Sequence, residues 1–309
     1  MRLVFLGSPP FATPIFERLL ASPHDVCGLV TPPDRPRGRG RAVVVSELAR
    51  RAEASGLPLI RPTTTKDPAF VAELAALEAD VLVVASYGEI LRRDVLELCP
   101  HGALNVHASL LPRWRGASPI QRAIAAGDAT TGITIQRMVL ALDAGDVLSR
   151  HETPIGARET AAELFDRLAL LGGEAIVEAL DALEAGTASF EPQDEAAVTL
   201  APKLTKDDGW IDFDRSSDEV DRHVRAMTTW PGARTRLPDG RDLVVLEVEV
   251  GEESEERGSP GTLLDAGEGI VATGDGAVRL VRVKPAGKGA MGGSDFLRGA
   301  RLEAGTRLG

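Results

Sequence analysis

Aromatic side chains are scarce: eight Phe, three Trp and one Tyr among 309 residues, 4% of the chain. The cores must be built mainly of Ala, Leu, Val and Ile. Cysteine is scarcer still. Cys27 and Cys99 are the only two, which excludes a disulfide framework and any structural zinc site made of paired cysteines. Each sits beside an expected strand or helix, so a reduced, buried pair is expected. No apolar run approaches the ~20 residues of a membrane helix. The opening Met1-Arg-Leu-Val-Phe-Leu-Gly7 is too short for a signal peptide and reads as a first strand. A cytoplasmic location is the expectation.

Common cofactor signatures are missing too. A dinucleotide site needs Gly-x-Gly-x-x-Gly at its first strand-turn-helix. Here the turn reads Gly7-Ser-Pro-Pro-Phe-Ala12, with one glycine and two prolines that remove amide donors. There is no phosphate-binding Gly-x4-Gly-Lys-[Ser/Thr], no Gly-x-Ser-x-Gly nucleophile turn and no Cys or His pair at metal spacing. The net charge of −11 argues against a general nucleic-acid binder. Two basic islands qualify that. Residues 35–41 carry Arg35, Arg37, Arg39 and Arg41 without an acid, and residues 279–309 carry seven basic residues against two acids. Islands on an acidic protein suit a focused anionic partner; a solvated face and tail is the plain alternative.

Strand and helix patterns alternate through the first half. Leu3–Leu6, Val26–Val30, Leu57–Ile60, Asp80–Ala85, Ala103–Val106, Gly132–Met138 and Val147–His151 read as strands. The run 80–85 is continuously apolar, as for a parallel strand covered on both faces. Phe11–Leu20, Val45–Ala54, Pro68–Leu77 and Pro119–Ala126 read as helices. Thr160-x-x-Glu163 is a capping box opening a long helix with Leu164, Leu168 and Leu171 on one face. This alternation predicts a doubly wound, mostly parallel, Rossmann-like α/β domain over 1–186. Residues 187–205 lack periodicity and read as a linker. Over 206–309 short strands dominate: Thr235–Leu237, Leu243–Val250, Gly261–Leu264, Ile270–Thr273 and Val278–Val283. One helix is expected at Ser217–Met227, and an acidic turn at 252–256. Such a segment predicts a small OB-like β-barrel.

The densest chemistry is in Leu104-Asn-Val-His-Ala-Ser-Leu-Leu-Pro-Arg-Trp-Arg-Gly-Ala-Ser-Pro-Ile120. Strand residues i and i+2 point the same way. Asn105 and His107 therefore project together from a strand end, where α/β sheets place their ligands. An amide and an imidazole side by side can stabilise negative charge growing on a carbonyl oxygen. Taken singly, either could simply satisfy a turn. A second acidic element, Leu142-Asp-Ala-Gly-Asp146, follows; turn capping accounts adequately for Asp146.

Asn105-x-His107, the Ser109-Leu-Leu-Pro112 turn and Asp143 together resemble the motifs of the folate-dependent formyltransferases. Residues 32–41, Pro-Pro-Asp-Arg-Pro-Arg-Gly-Arg-Gly-Arg, resemble an insertion of the tRNA-directed members, with Pro32 where a Gln is usual. Trp230-Pro-Gly-Ala, Ala272-Thr-Gly-Asp-Gly276 and Lys284-Pro-Ala-Gly-Lys-Gly-Ala-Met291 extend the likeness over nearly the full chain. The resemblance implies transfer of a formyl group from 10-formyltetrahydrofolate to the α-amino group of methionine on initiator methionyl-tRNA, for translation initiation. It implies Asn105, His107 and Asp143 as catalytic residues, with Asp143 orienting the imidazole. It implies folate walls at Ser86, Tyr87, Gly88, Ile90 and Leu91 and at Ser109, Leu110, Leu111 and Pro112, with Arg92 where the family often has proline. Arg35, Arg37, Arg39, Arg41, Lys284 and Lys288 are the implied tRNA contacts. Neither a metal nor a membrane is expected, and a monomer is. Two alternatives remain: a formyltransferase acting on a sugar nucleotide, and a non-catalytic RNA-binding module.

Overall fold

The structure, a computed structural model, describes residues 1–33, 45–251 and 258–309, together with the backbone at 36–37 and 42–43. Arg35, Arg39, Arg41 and the acidic 252–256 turn lie outside the described residues, as does the side chain of Arg37. The described chain divides into two units: 1–116, 130–154 and 165–201 form the first, and 117–129, 155–164 and 202–309 the second.

The first unit is built on seven strands: β1 (Arg2–Gly7), β2 (Asp25–Val30), β3 (Leu59–Ile60), β4 (Val81–Ala85), β5 (Ala103–His107), β6 (Thr130–Arg137) and β7 (Val147–Pro154). They lie in the order β7-β6-β5-β4-β1-β2-β3. The pairings from β5 through β3 are parallel; β6 and β7 add an antiparallel edge. All of β4 is buried, as its unbroken apolar run requires. Helices α1 (Ala12–Leu20), α2 (Glu47–Ala54), α3 (Pro68–Ala75) and α4 (Arg93–Leu96) fill the crossovers. Local signals set their starts: the Ser46 hydroxyl accepts from Ala49 N at the head of α2, and the Asp67 carboxylate from Ala69 N ahead of Pro68. Four of the aromatics pair, Phe5 stacking on Phe16 and Phe11 meeting Phe165 edge-on. Both cysteines are free and buried, and burial pushes the Cys99 thiol up to about 11.

The stretch expected as a linker does not behave as one before Ala201. Glu191 exchanges backbone hydrogen bonds with Val147, and Leu200–Ala201 pairs in parallel with Arg115–Gly116. Residues 191–201 form a strap on the first unit.

In the second unit, α5 (Pro119–Ala126) packs on α7 (Ser217–Ala226). Ser216 and Glu219 close a capping box on α7. Thr160 and Glu163 do the same at the head of the 24-residue α6 (Ala161–Glu184), whose residues 165–184 belong to the first unit. Strands β8 (Arg234–Arg236), β9 (Asp242–Val250), β10 (Leu263–Asp265), β11 (Ile270–Ala272), β12 (Ala277–Pro285) and β13 (Met291–Gly292) are followed by α8 (Gly293–Gly299). The antiparallel order is β8-β9-β12-β11-β10, with β13 on β12. The last residues bridge the two ends of that path. Leu263 N donates to Thr306 O and Leu308 N to Gly261 O on the β10 side, and Gly309 N donates to Arg236 O in β8. Leu308 is 1% exposed among the barrel's apolar residues. The C-terminal residues thus complete the small barrel.

Candidate active site

The antiparallel register of β5 and β6 sets Asn105 opposite Gln136 and His107 opposite Thr134. Directly opposed residues share a face, so four polar side chains gather at the end of β5. Thr134 is fully buried and fixes the turn that follows: its hydroxyl donates to Ser109 O (2.6 Å) and accepts from Leu111 N (3.0 Å). The Ser109 hydroxyl donates to Arg113 O at 2.6 Å, and Arg150 Nε donates to Leu111 O at 2.8 Å. The 109–113 turn is therefore a rigid floor beside Asn105 and His107.

His107 is buried, with Nε2 2.9 Å from the carbonyl oxygen of Trp114. A carbonyl only accepts, so Nε2 carries a hydrogen and Nδ1 is the nitrogen left to gain or lose a proton. Nδ1 lies 3.7 Å from Asp143 Oδ2. Asp143 thus comes within ion-pair distance of the imidazole, while the ring's hydrogen bond goes to the Trp114 carbonyl. The Asp143 carboxylate has its own supports. Oδ2 accepts from Gly116 N at 2.9 Å, and Oδ1 from Gln136 Nε2 at 3.1 Å. Asp143 and Trp114 hold left-handed backbone, with φ of 46° and 66°. Non-glycine residues adopt it only when their surroundings fix them there.

The strap supplies much of that fixing. Trp114 N donates to Thr199 Oγ1, and Arg115 N to Thr199 O, both at 2.9 Å. The buried Arg115 guanidinium grips Glu195 with two hydrogen bonds, one of 2.7 Å. Gln193 reaches the turn that carries Asp143. Two glycines are required here by close approach. A Cβ on Gly145 would lie 1.7 Å from Arg137 O, and one on Gly116, at φ 128°, 2.5 Å from Ala201 O. Gln136, Gln193, Arg115 and Glu195 were not singled out from the sequence. Their pairings span up to 80 residues, and no local pattern announces them.

The residues implied as folate walls divide into surface and support. Gly88 and Ile90 are exposed, Ile90 at 82%. Tyr87 and Leu91 are buried in the core cluster under β4. Burial, with Glu89 adding to it, pushes the Tyr87 phenol up to about 12. Ser86 is exposed and left-handed at φ 50°. Where Arg92 replaces proline, its extended backbone is the N-cap of α4. Beyond this loop lies a cavity of about 470 Å³, lined by Leu96, Gly102, Arg137, Met138, Val139 and Leu140 among others. Its 137–140 wall runs on directly to Asp143. Arg93, Glu97 and His101 line it too, and none of the residues implied as folate walls does. Asp146 is exposed, and its carbonyl accepts from Arg137 N.

Of the implied tRNA contacts, Lys284 and Lys288 are exposed in and just after β12. Their neighbour Arg279 is ion-paired with Glu249, and Arg298 with Asp295. Among the described residues, one group could hold a metal by proximity: His24, Asp181 and Glu184. It is already used, since the Met1 ammonium donates to Glu184 at 2.6 Å and sits 3.2 Å from His24 Nδ1. Among the described residues, no helix is long and apolar enough to cross a membrane.

Comparison with known proteins places the whole chain in a family. The family described as "Formyl transferase" matches residues 1–180, and "Formyl transferase, C-terminal domain" matches residues 203–301. The methionyl-tRNA formyltransferase of Thiobacillus denitrificans is 46% identical over 311 residues, covering 100% of both chains. That of Roseiflexus sp. strain RS-1 is 45% identical, covering 100% of this chain and 95% of its own. Among solved structures, the N-formyltransferase from Helicobacter canadensis in complex with folinic acid and dTDP-3-aminofucose has a TM-score of 0.68 at 16% identity, over 90% of this chain and 98% of that one. HypX from Aquifex aeolicus in complex with tetrahydrofolic acid has a TM-score of 0.62 at 22% identity, over 96% of this chain but 47% of its own. At such identities the structures speak for the fold, while the sequence relatives and both domain matches speak for kinship: this chain belongs to the formyl transferase family.

Proposed function

We infer that this enzyme transfers the formyl group of 10-formyltetrahydrofolate to the α-amino group of methionine on initiator methionyl-tRNA, the reaction that prepares the initiator for translation. The observation that carries the reading is the approach of Asp143 to His107 at the end of β5, in a chain aligned along its whole length with methionyl-tRNA formyltransferases. Residues 1–186 carry the chemistry and 206–309 hold the tRNA. The enzyme works as a cytoplasmic monomer.

Asn105 donates to the formyl oxygen as negative charge grows there. One such donor is worth about 3–4 kcal/mol of transition-state stabilisation. The attacking amine must be neutral and must then lose a proton, while the departing N10 must gain one. His107 Nδ1 is the nitrogen free to carry that proton. When it does, the Asp143 carboxylate at 3.7 Å stabilises the imidazolium, and the Trp114 carbonyl keeps the ring from turning. The cavity beside Met138–Leu140 takes the pterin ring; the 86–91 loop, with exposed Ile90, and the 109–112 turn lie outside that lining and flank the rest of the folate. Each named residue supplies hydrogen bonds, charge or a proton, and the chemistry calls for no metal. Arg282, Lys284 and Lys288, exposed beyond the ion-paired Arg279, contact phosphates and position the tRNA without reading its sequence. The 32–41 insertion, with Arg35, Arg37, Arg39 and Arg41, reaches the acceptor end.

The test is acceptor choice. The enzyme is incubated with formyl-labelled folate and either methionyl-tRNA or an amino-sugar nucleotide. Label on the methionine amine supports the reading. Label on the sugar, or on neither acceptor, overturns it.

A further inference from the structure

We propose that Gln193 is a positioning residue for the transfer reaction, holding the Asp143 carboxylate in place opposite His107. The inference rests on the function inferred above. Gln193 is 9% exposed and lies near the start of the strap, in sequence with no periodicity. Its Nε2 faces three acceptors: Asp143 O at 2.8 Å, Gly145 O at 2.7 Å and Gln136 Oε1 at 3.3 Å. Its Oε1 accepts from Arg115 Nε at 3.0 Å. A buried amide with both ends engaged holds its partners firmly.

The two donors to the Asp143 carboxylate connect to this side chain, Gln136 directly and Gly116 through its chain neighbour Arg115. The backbone of Asp143 is held directly. Gln136, whose Nε2 donates to Oδ1, has its own Oε1 held by Gln193. Gly116, whose N–H donates to Oδ2, follows Arg115 in the chain, and Arg115 donates to Gln193. Asp143 sits at φ 46°, a conformation that reverts when its surroundings loosen. Gln193 lines no part of the 470 Å³ cavity. Its loss therefore acts first on the placement of Asp143. Misplacement by about 1 Å costs on the order of 10²-fold in rate.

Two variants test this. Gln193→Ala removes the amide. Gln193→Glu keeps an acceptor for Arg115 but turns an oxygen toward the carbonyls of Asp143 and Gly145. Both should lower kcat by about 10²-fold, with KM for folate and for methionyl-tRNA held near wild type, while Gln193→Glu, with an oxygen set against two carbonyl oxygens, melts earlier than wild type. A wild-type kcat in Gln193→Glu overturns the positioning role. So does a loss spread over kcat and both KM values, because a general structural defect gives that result. The wild type is assayed alongside: if it fails to formylate methionyl-tRNA, the function itself is wrong and the inference falls with it.

Discussion

Replacing Asp143 by Asn separates charge from shape. The side chain keeps its size, but one carboxylate oxygen becomes an amide nitrogen. Gly116 N–H at 2.9 Å and Gln136 Nε2 at 3.1 Å both donate to this group, so one of them must face a donor in the variant. The charge opposite Nδ1 also disappears. Two unit charges about 4 Å apart interact by about 4 kcal/mol at an effective dielectric of ~20. The Asp143 side chain is 15% exposed, and solvent screens part of that, leaving about 3 kcal/mol. At 1.36 kcal/mol per decade this is a loss of roughly 10²-fold in rate. The assay is single-turnover formylation of methionyl-tRNA with both substrates saturating, so that binding does not enter. A variant that keeps most of its rate would show that Nδ1 carries no proton in the rate-determining step, and Asp143 would leave the catalytic set.

Asn105→Ala should lower kcat by about 10²–10³-fold while methionyl-tRNA affinity, measured by filter binding, stays unchanged. Lys284→Ala and Lys288→Ala should each lower the slope of log affinity against log salt by roughly one; an unchanged slope in the double variant returns this segment to a solvated face. Removing residues 306–309 exposes the barrel side of β10 and deletes buried Leu308, a loss of about 2–3 kcal/mol for the side chain alone. The C-terminal unit should melt earlier by calorimetry, and an unchanged transition would mean that the tail does not close the barrel.

The strand–helix alternation of the first unit was legible because burial leaves a local record. The run 80–85 is apolar throughout since both faces of β4 are covered, and Thr160 with Glu163 marks the start of α6 in four residues. Asn105 and His107 were legible for the same reason, two residues apart on one strand. What escaped is held by long-range hydrogen bonds. Gln193, Glu195 and Thr199 grip Asp143, Arg115 and Trp114 without burying a periodic apolar face, so residues 187–205 read as a linker. The role of residues 306–309 escaped likewise, since a lone buried Leu308 among polar neighbours is no strand signal. The hydrogen-bond partner of His107 Nε2 is a backbone carbonyl, which no side-chain pattern encodes.

The most direct measurement is a crystal structure with 5-formyltetrahydrofolate, an unreactive isomer of the donor. The expected result places the pterin between α4 and residues 137–140, with the formyl group at the end of β5 and Asn105 the nearest side-chain donor to its oxygen, beside His107 and Asp143. A pterin bound elsewhere, or a formyl group turned away from Asn105 and His107, would contradict the site and the mechanism built on it.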